Sequence, residues 1–270
     1  MSNFIQFPHS IVEQLSARSK HDEAFTYVAI RNEIKDRSRT ASYSQADLAE
    51  LLQVTDKTIY NYIHRLKETR LFDVTERKLG AEEYPYNVYL FPELTDNYSM
   101  VLPTFIADTE ISPKLKGILL FAKANCECGT NHFTFQSRTG DLAEKLGVGK
   151  NQVNGYLSEL ESKGYIRFIG KTLIITSSHF PLSITNDYDN IIYSLIYKFC
   201  LSKGIVPPLK DKQATAWLGA KYVDNYKQFV ADLQKKCAAL PNTVHLNYFC
   251  QALLNKMPTK QKEPISEYYL

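Results

Sequence analysis

Two stretches of the chain repeat the same order of apolar and polar positions, 94 residues apart. The segment Asp47-Leu-Ala-Glu50 recurs as Asp141-Leu-Ala-Glu144, and an apolar run that ends in proline stands near the start of each stretch. A self-similar stretch of this length indicates a domain that is used twice. With the offset held without gaps, apolar or aromatic residues also match further along: Leu52 with Leu146, Val54 with Val148, Ile59 with Val153, Tyr62 with Tyr156, Ile63 with Leu157, and Leu66 with Leu160.

The first half of each copy predicts a helix, a short extended piece and a second helix. Apolar residues recur at helical spacing in the first helix of each copy, around Phe25 and Leu119. The extended pieces are expected at residues 41–44 and 132–135. In the first copy Ser44 is placed to cap the second helix, expected at residues 45–52.

A tight turn and a third helix follow in each copy, and then two β-type segments. Gly147 suits the first turn position of the second copy, because glycine accepts the left-handed conformation. Helix, helix, tight turn, helix and hairpin is the winged helix-turn-helix plan. The predicted ranges are 53–55 and 147–149 for the turns, 56–69 and 150–162 for the third helices, and 71–75 with 87–91 and 165–169 with 172–176 for the strands.

These patterns predict a mainly α fold with small β-wings (α+β). Two tandem winged helix-turn-helix domains, residues 1–98 and 99–185, are expected to precede a C-terminal helical domain and tail, residues 186–270. The last segment has apolar residues at helical spacing and predicts a small bundle with helices near 188–201, 212–239 and 244–256, the second with a break near Gly219.

The third helix of the first copy predicts a DNA-reading face. At about 100° per residue, Ile59, Ile63 and Leu66 form a buried stripe, and amide, imidazole and cationic side chains fall on the opposite side. Base edges and phosphates are contacted by such donors. A merely solvated face remains the alternative. The candidate DNA-binding residues here are Lys57, Thr58, Asn61, His64 and Arg65.

The second copy and the wings supply the remaining candidates. Glu159 and Glu161 on its third helix would oppose the DNA backbone, so this domain either contacts DNA less strongly or serves assembly. The first wing is long and the second is a tight turn. The candidates are Lys150, Asn151, Gln152 and Ser158 on the third helix, Arg77 and Lys78 on the first wing, and Lys171 on the second.

Charge and composition limit the class of protein. The net charge is +3, and residues 1–98 carry 12 Lys and Arg against 15 Asp and Glu, so DNA contact has to rely on local basic faces. Five cysteines at irregular spacing indicate reduced thiols in the cytoplasm. No apolar run approaches the roughly 20 residues that span a bilayer. We therefore expect a cytoplasmic protein without membrane contact.

The chemistry of a cofactor or an active site is not expected. Gly147-Val-Gly-Lys-Asn151 has the wrong spacing for a phosphate-binding loop, and the helix-turn-helix turn explains it. Cys126, Cys128 and His132 offer three zinc ligands where a structural site needs four. No nucleophile–base arrangement is visible. The sequence thus predicts no metal, no cofactor and no enzymatic activity.

A family resemblance adds a specific function. The first copy, from Asn3-Phe-Ile-Gln-Phe-Pro8 through residues 47–59 to Asn87-Val-Tyr-Leu-Phe91, resembles the winged-helix N-terminus of plasmid replication initiators from Gram-positive bacteria. It is also similar to phage replisome organisers of the DnaD-like type, and residues 246–255 look like the closing helix of such proteins. The resemblance implies recognition of repeats in a replication origin, with the C-terminal domain recruiting host replication proteins.

Two alternatives stay open at this point. A transcriptional regulator of a mobile element would use the same DNA-reading parts, and a winged-helix scaffold for protein interactions is compatible with the acidic balance of residues 1–98. We expect double-stranded DNA as the partner. We also expect a homodimer, because paired half-sites suit proteins with two-fold symmetry.

Overall fold

The computed structural model describes residues 4–15, 20–34, 39–77, 86–94, 97–182, 188–223 and 225–255. Over these ranges the chain is mainly helical and carries three small antiparallel sheets. It divides into two compact units: unit 1 comprises Met1–Glu127 and Asn131–Ile184, and unit 2 comprises Cys128–Thr130 and Thr185–Leu270. Apart from residues 128–130 and Thr185, both copies of the repeat therefore belong to unit 1.

The two copies run through matching elements. The first copy contains, in chain order, β1 (Ile5–Pro8), α1 (Ser10–Gln14), α2 (Lys20–Asn32), β2 (Thr40–Tyr43), α3 (Gln45–Leu52), α4 (Asp56–Glu68), β3 (Asp73–Arg77) and β4 (Tyr86–Leu90). The second contains β5 (Tyr98–Val101), α5 (Thr104–Ala107), α6 (Pro113–Ala124), β6 (His132–Thr134), a π-helical turn (Arg138–Leu142) that leads into α7 (Ala143–Leu146), α8 (Val153–Ser162), β7 (Ile166–Ile169) and β8 (Thr172–Ile175).

The sheets repeat as well. The first copy has a three-stranded sheet in the order β2-β4-β3, and the second has β6-β8-β7, which is the same order of equivalent strands. The antiparallel hairpins that the sequence predicts at the end of each copy are thus confirmed. The helices predicted at residues 45–52 and 56–69 are confirmed within one residue.

The first strands of the two copies pair with each other, which the sequence pattern did not reveal. With the 94-residue offset of the repeat, Val101 is the counterpart of Phe7, and Ser99 is the counterpart of Ile5. The pairing is therefore reciprocal, as in a two-fold symmetric contact between identical subunits. The register of β1 and β5 joins Ile5 with Val101, Gln6 with Met100, Phe7 with Ser99, and Pro8 with Tyr98.

The copies also share one hydrophobic core. Helix α2 packs against its counterpart α6, and buried side chains from Ile5 to Phe180 form a single cluster that includes residues of both copies. Phe25 on α2 meets Phe105 on α5 edge to face, with ring centroids 6.1 Å apart. Because apolar burial is the main stabilising term in folding, the two copies stabilise each other.

Unit 2 is helical and has its own buried side chains. Its helices are α9 (Tyr188–Ser202), α10 (Lys212–Lys221), α11 (Tyr226–Lys236) and α12 (Leu246–Leu254). Asp211 caps α10 by accepting a hydrogen bond from the backbone N–H of Ala214 at 2.8 Å. Ile196, Leu218, Phe229 and Phe249 are among the residues buried here.

The structure gives the exact place of two boundaries predicted from the sequence, and it corrects one of them. The break predicted near Gly219 in the long C-terminal helix falls after Lys221, two residues further on. Gly219 lies buried inside α10, where a Cβ atom would stand only 3.0 Å from the Asp189 carboxylate, so the glycine permits close packing of α9 and α10. The third helix of the second copy begins at Val153 and not at Lys150.

None of the helices that the structure describes has the length and apolar content to cross a membrane.

Candidate nucleic-acid interface

Helices α3 and α4 are joined by a tight turn with defined capping. Ser44 accepts a hydrogen bond from the backbone N–H of Asp47 at 3.0 Å, as predicted for the start of α3. Gln53 ends α3 in the left-handed conformation, with φ of 56°. Thr55 then accepts from the backbone N–H of Thr58 at 3.3 Å and starts α4. These contacts fix the entry angle of α4.

The outer face of α4 presents polar and aromatic groups to solvent. Lys57, Asn61 and His64 are exposed, as the helical periodicity predicts. Tyr60 is 56% exposed and its ring lies 6.3 Å from that of His64. Sequence reasoning missed Tyr60 because an aromatic side chain at helical spacing usually indicates a core position. The face therefore combines an amine, an amide, an imidazole and a phenol.

Two of the predicted residues on α4 are engaged in local contacts. The imidazole Nδ1 of His64 lies 3.3 Å from the Glu68 carboxylate, one helical turn away. The hydroxyl of Thr58 is half-buried and lies 2.9 Å from that of Thr55. Thr58 therefore takes part in capping α4.

Arg65, which periodicity places on the polar face beside Lys57 and Asn61, is only 35% exposed and is engaged with another helix. Its Nε donates a hydrogen bond to Glu23 on α2, whose side chain is 1% exposed, and its guanidinium lies 5.4 Å from the centre of the Tyr62 ring. Helical periodicity places Arg65 at the edge of the polar face, and it cannot reveal a buried carboxylate on another helix. Arg65 thus fastens α4 to α2.

The corresponding turn of the second copy lacks the cap. Gly147 takes the left-handed conformation with φ of 63°, as predicted, at the position equivalent to Gln53. Gly149 stands where the first copy has Thr55, so no hydroxyl is present to accept from the following backbone. Lys150, Asn151 and Gln152 consequently lie exposed in a turn before α8, and not on the helix itself.

The exposed face of α8 carries less chemistry for DNA than that of α4. Ser158 is exposed, as predicted. A Cβ atom added to Gly155 would meet no atom within 4 Å. Because glycine has no side chain, this part of the face offers no group for a DNA contact. Glu159 lies 3.3 Å from Lys163, which partly offsets its negative charge. The cationic group nearest to the start of α8 in sequence is Lys150 in the turn.

The two hairpins that the sequence predicts as wings differ in how much of them the structure describes. Arg77 ends β3, while its side chain and the whole of Lys78 lie outside the described parts of the chain. Lys171 is exposed at the tip of the β7–β8 turn, and its carbonyl accepts from the backbone N–H of Phe135 at 2.9 Å. Arg138, which sequence reasoning missed, lies with its guanidinium 4.1 Å from the centre of the Phe168 ring on β7. Such stacking holds the cation against β7.

A chain of hydrogen bonds near β7 of the second copy joins a hydroxyl, an imidazole and a carboxylate. The Thr104 hydroxyl lies 3.0 Å from Nδ1 of His179, and Nε2 of His179 lies 2.9 Å from the Asp108 carboxylate. The Tyr165 hydroxyl donates to the same carboxylate. Burial raises the pKa of Asp108, but the hydrogen bonds outweigh it and hold the pKa below its ordinary value.

This arrangement was not visible in the sequence, where its members are up to 75 residues apart. The same His179 accepts at its backbone carbonyl from the N–H of Leu102 at 2.9 Å. All these contacts connect β5 and α5 with β7 and the segment that follows β8. We therefore assign the chain of hydrogen bonds to the packing of the second copy.

The three residues considered as zinc ligands differ in burial and in their contacts. Cys126 is half-buried, and its thiol donates to the Ala122 carbonyl at 3.4 Å. Cys128 is exposed and His132 is buried. Within the described ranges, no three His, Cys, Asp or Glu side chains come together closely enough to hold a metal ion.

Compared with known proteins, the chain matches no protein-family model, no curated protein and no solved structure.

Proposed function

We propose that the chain is a sequence-specific double-stranded DNA-binding protein built from two winged-helix copies. The observation that carries the proposal is the exposed face of α4, which follows a capped tight turn and presents Lys57, Asn61 and His64 to solvent. An α-helix fits the major groove, and amide, imidazole and cationic donors there contact base edges and phosphates. In this proposal α4 is the first recognition helix.

The pairing of the two copies supports a single bipartite binding site. The reciprocal register of β1 with β5 and the packing of α2 on α6 relate the copies as the subunits of a symmetric dimer are related. One chain therefore offers two helix-turn-helix segments to one duplex. In dimeric proteins of this type, the two recognition helices read half-sites about one helical turn apart.

The two halves of this site are expected to contribute unequally. The first copy contacts DNA through α4, and the amide, imidazole and amine groups on the exposed face of this helix favour contacts with base edges. The second copy offers Lys150, Asn151 and Gln152 at the start of α8, Ser158 on the helix, and Lys171 at the wing tip. Cations in a turn and at a wing tip suit the phosphate backbone, which positions a protein on DNA and does not specify sequence. The target is thus an asymmetric site with one dominant half.

The more specific function that we propose is initiation of replication of a plasmid or another mobile element. It rests on the resemblance of residues 3–91 to plasmid replication initiators and DnaD-like replisome organisers. In this account unit 2 recruits host replication proteins in the cytoplasm, and a homodimer places one chain on each of two bipartite sites. The separation of unit 2 from the unit that holds both copies suits such a division of labour.

Footprinting of the purified chain on the DNA that surrounds its own gene tests this function. Replication initiation predicts protection of several repeats of one site, away from the promoter. Protection of a single site that overlaps the promoter would assign the same DNA-binding parts to a transcriptional regulator. If no stretch is protected in the presence of excess random duplex, DNA recognition is rejected in favour of a protein-interaction scaffold.

A further inference from the structure

The first turn of α2, residues 20–23, contacts the helix-turn-helix segments of both copies. It belongs to the first copy by sequence, yet three of its side chains lie against elements of different copies. The contacts to α4 and to α7 are made by different residues of this one turn. A single helical turn therefore stands between the two proposed recognition helices.

Towards the first copy, the turn holds α4 by two polar contacts. Glu23 accepts from Nε of Arg65, and Asp22 accepts from the hydroxyl of Tyr62 at 3.4 Å. Burial raises the pKa of Tyr62 to about 12, so its hydroxyl keeps the proton that it donates. Both donors lie in the middle of α4, between the exposed face and the core.

Towards the second copy, the turn holds the end of α7. Nε2 of His21 lies 2.7 Å from the backbone carbonyl of Leu146, which immediately precedes the turn to α8. Because a carbonyl can only accept, Nε2 carries the proton and Nδ1 does not. Burial lowers the pKa of His21 to about 4, so the imidazole is neutral at physiological pH. Its ring also lies 4.8 Å from that of Phe121 on α6.

The backbone of the turn is locked against α6 at the same place. A Cβ atom on Gly117 would stand 2.1 Å from the carbonyl oxygen of His21, so the two helices approach as closely as glycine allows. Beside it, the amine of Lys20 lies 5.6 Å from the centre of the Phe121 ring. Close backbone packing of this kind resists sliding of α2 along α6.

We infer that His21 and Glu23 are positioning residues that fix the distance and angle between the two recognition helices, and thereby the spacing of half-sites that the protein accepts. The inference rests on the proposed DNA-binding function and adds a determinant of specificity to it. Neither residue needs to contact DNA. Their carboxylate and imidazole act through Arg65 on α4 and through Leu146 on α7.

The geometry of DNA makes this spacing sensitive to single base pairs. One added base pair moves a half-site by about 3.4 Å and rotates it by about 35° around the helix axis. If the two recognition helices are held at a fixed distance and angle, the protein loses contacts with one half-site when that half-site is displaced. If the contacts of α2 are loosened, the two recognition helices can move relative to each other and keep part of these contacts.

The test uses the full chain and a labelled duplex selected from a random pool, together with versions that carry one base pair more or one fewer between the protected halves. The measured quantity is the ratio of affinity for the selected duplex to affinity for each altered duplex. The variants are His21→Phe, which keeps the ring packing, Glu23→Met, which removes the acceptor oxygens, and the two together. His132→Phe serves as the matched control, because His132 is also buried and its pKa is also about 4.

The wild type and the His132→Phe control are expected to reject both altered duplexes by about tenfold or more, which corresponds to about 1.4 kcal/mol. The double variant is expected to bring the ratio towards one.

Affinity that falls equally for all duplexes, with an unchanged ratio, would mean that these residues only stabilise the fold and would overturn the inference. A wild-type ratio near one would also overturn it, while leaving DNA binding in place. Failure to prefer the selected duplex over random DNA would instead refute the proposed function.

Discussion

Arg65 on α4 donates from Nε to the carboxylate of Glu23 on α2, and the Glu23 side chain is 1% exposed. Helical periodicity assigns Arg65 to the DNA-reading face, but the contact with Glu23 makes it a link between α4 and α2. The reading face proposed for α4 is therefore narrower than the sequence suggests. It consists of Lys57, Tyr60, Asn61 and His64.

Replacing Arg65 is expected to lower the free energy of unfolding more than replacing its partner Glu23. Replacing Arg65 by Met leaves a buried carboxylate without this partner, and breaking such a pair costs about 3 kcal/mol. Glu23→Gln keeps an oxygen acceptor and leaves a half-buried guanidinium that can reach water, so it is expected to cost less. Urea unfolding followed by circular dichroism gives both values. Equal midpoints for the wild type and Arg65→Met would show that the pair contributes nothing.

Lys57 and Asn61 are expected to act on DNA affinity and not on folding. Both are exposed, so Lys57→Ala with Asn61→Ala leaves the unfolding midpoint unchanged and weakens binding to the selected duplex by several-fold or more. Loss of the lysine is also expected to reduce the slope of log affinity against log salt by about one. Lys227→Ala on α11, another exposed lysine on a helix, is the control for charge alone. Equal losses for the control and the pair would contradict the assignment of this face.

Two helical glycines are expected to respond to alanine in opposite directions. In Gly117→Ala the new methyl group would overlap the backbone of His21, and overpacking of this severity is expected to cost about 3 kcal/mol or more. Gly155→Ala meets open space on α8, so the better helix propensity of alanine is expected to add up to about 1 kcal/mol. Thermal unfolding of the two variants checks both signs. A harmless Gly117→Ala would show that α2 and α6 are not in such close contact.

Buried histidines predict a loss of stability in mild acid. The pKa of His21 is lowered by burial from 6.5 to about 4, so between these values the unfolded chain binds a proton that the folded chain excludes. The free energy of unfolding is therefore unaffected by His21 above about pH 6.5. It falls as the pH drops from 6.5 towards 4, and the loss is about 2 kcal/mol at pH 5. Unfolding free energies at about pH 7 and pH 5 measure it. His21→Phe is expected to lose less stability than the wild type over this interval, and an equal loss would assign the effect to other groups.

Much of the local structure follows from the sequence. The apolar spacing locates α3 and α4, Ser44 and Gly147 mark a helix start and a helix end, and pairs of β-type segments locate the hairpins. These features depend on interactions within a few residues. For that reason a pattern along the chain is enough to predict them.

The contacts between the copies could not be predicted in the same way. The reciprocal pairing of β1 with β5 joins residues 90 or more positions apart, and the proline-ended runs gave no indication of which strand each would pair with. The bond from His21 to Leu146 spans 125 positions and involves a backbone carbonyl, which any residue provides. The late start of α8 could have been foreseen, because Gly149 replaces the capping Thr55.

Selection of bound duplexes from a random-sequence pool tests the central claim most directly. The purified chain is expected to enrich one bipartite motif with a dominant half and a weaker half at fixed spacing. The variant with Lys57→Ala and Asn61→Ala is expected to lose enrichment of the dominant half. Recovery of sequences without any common motif, at affinities equal to that for bulk DNA, would contradict the account.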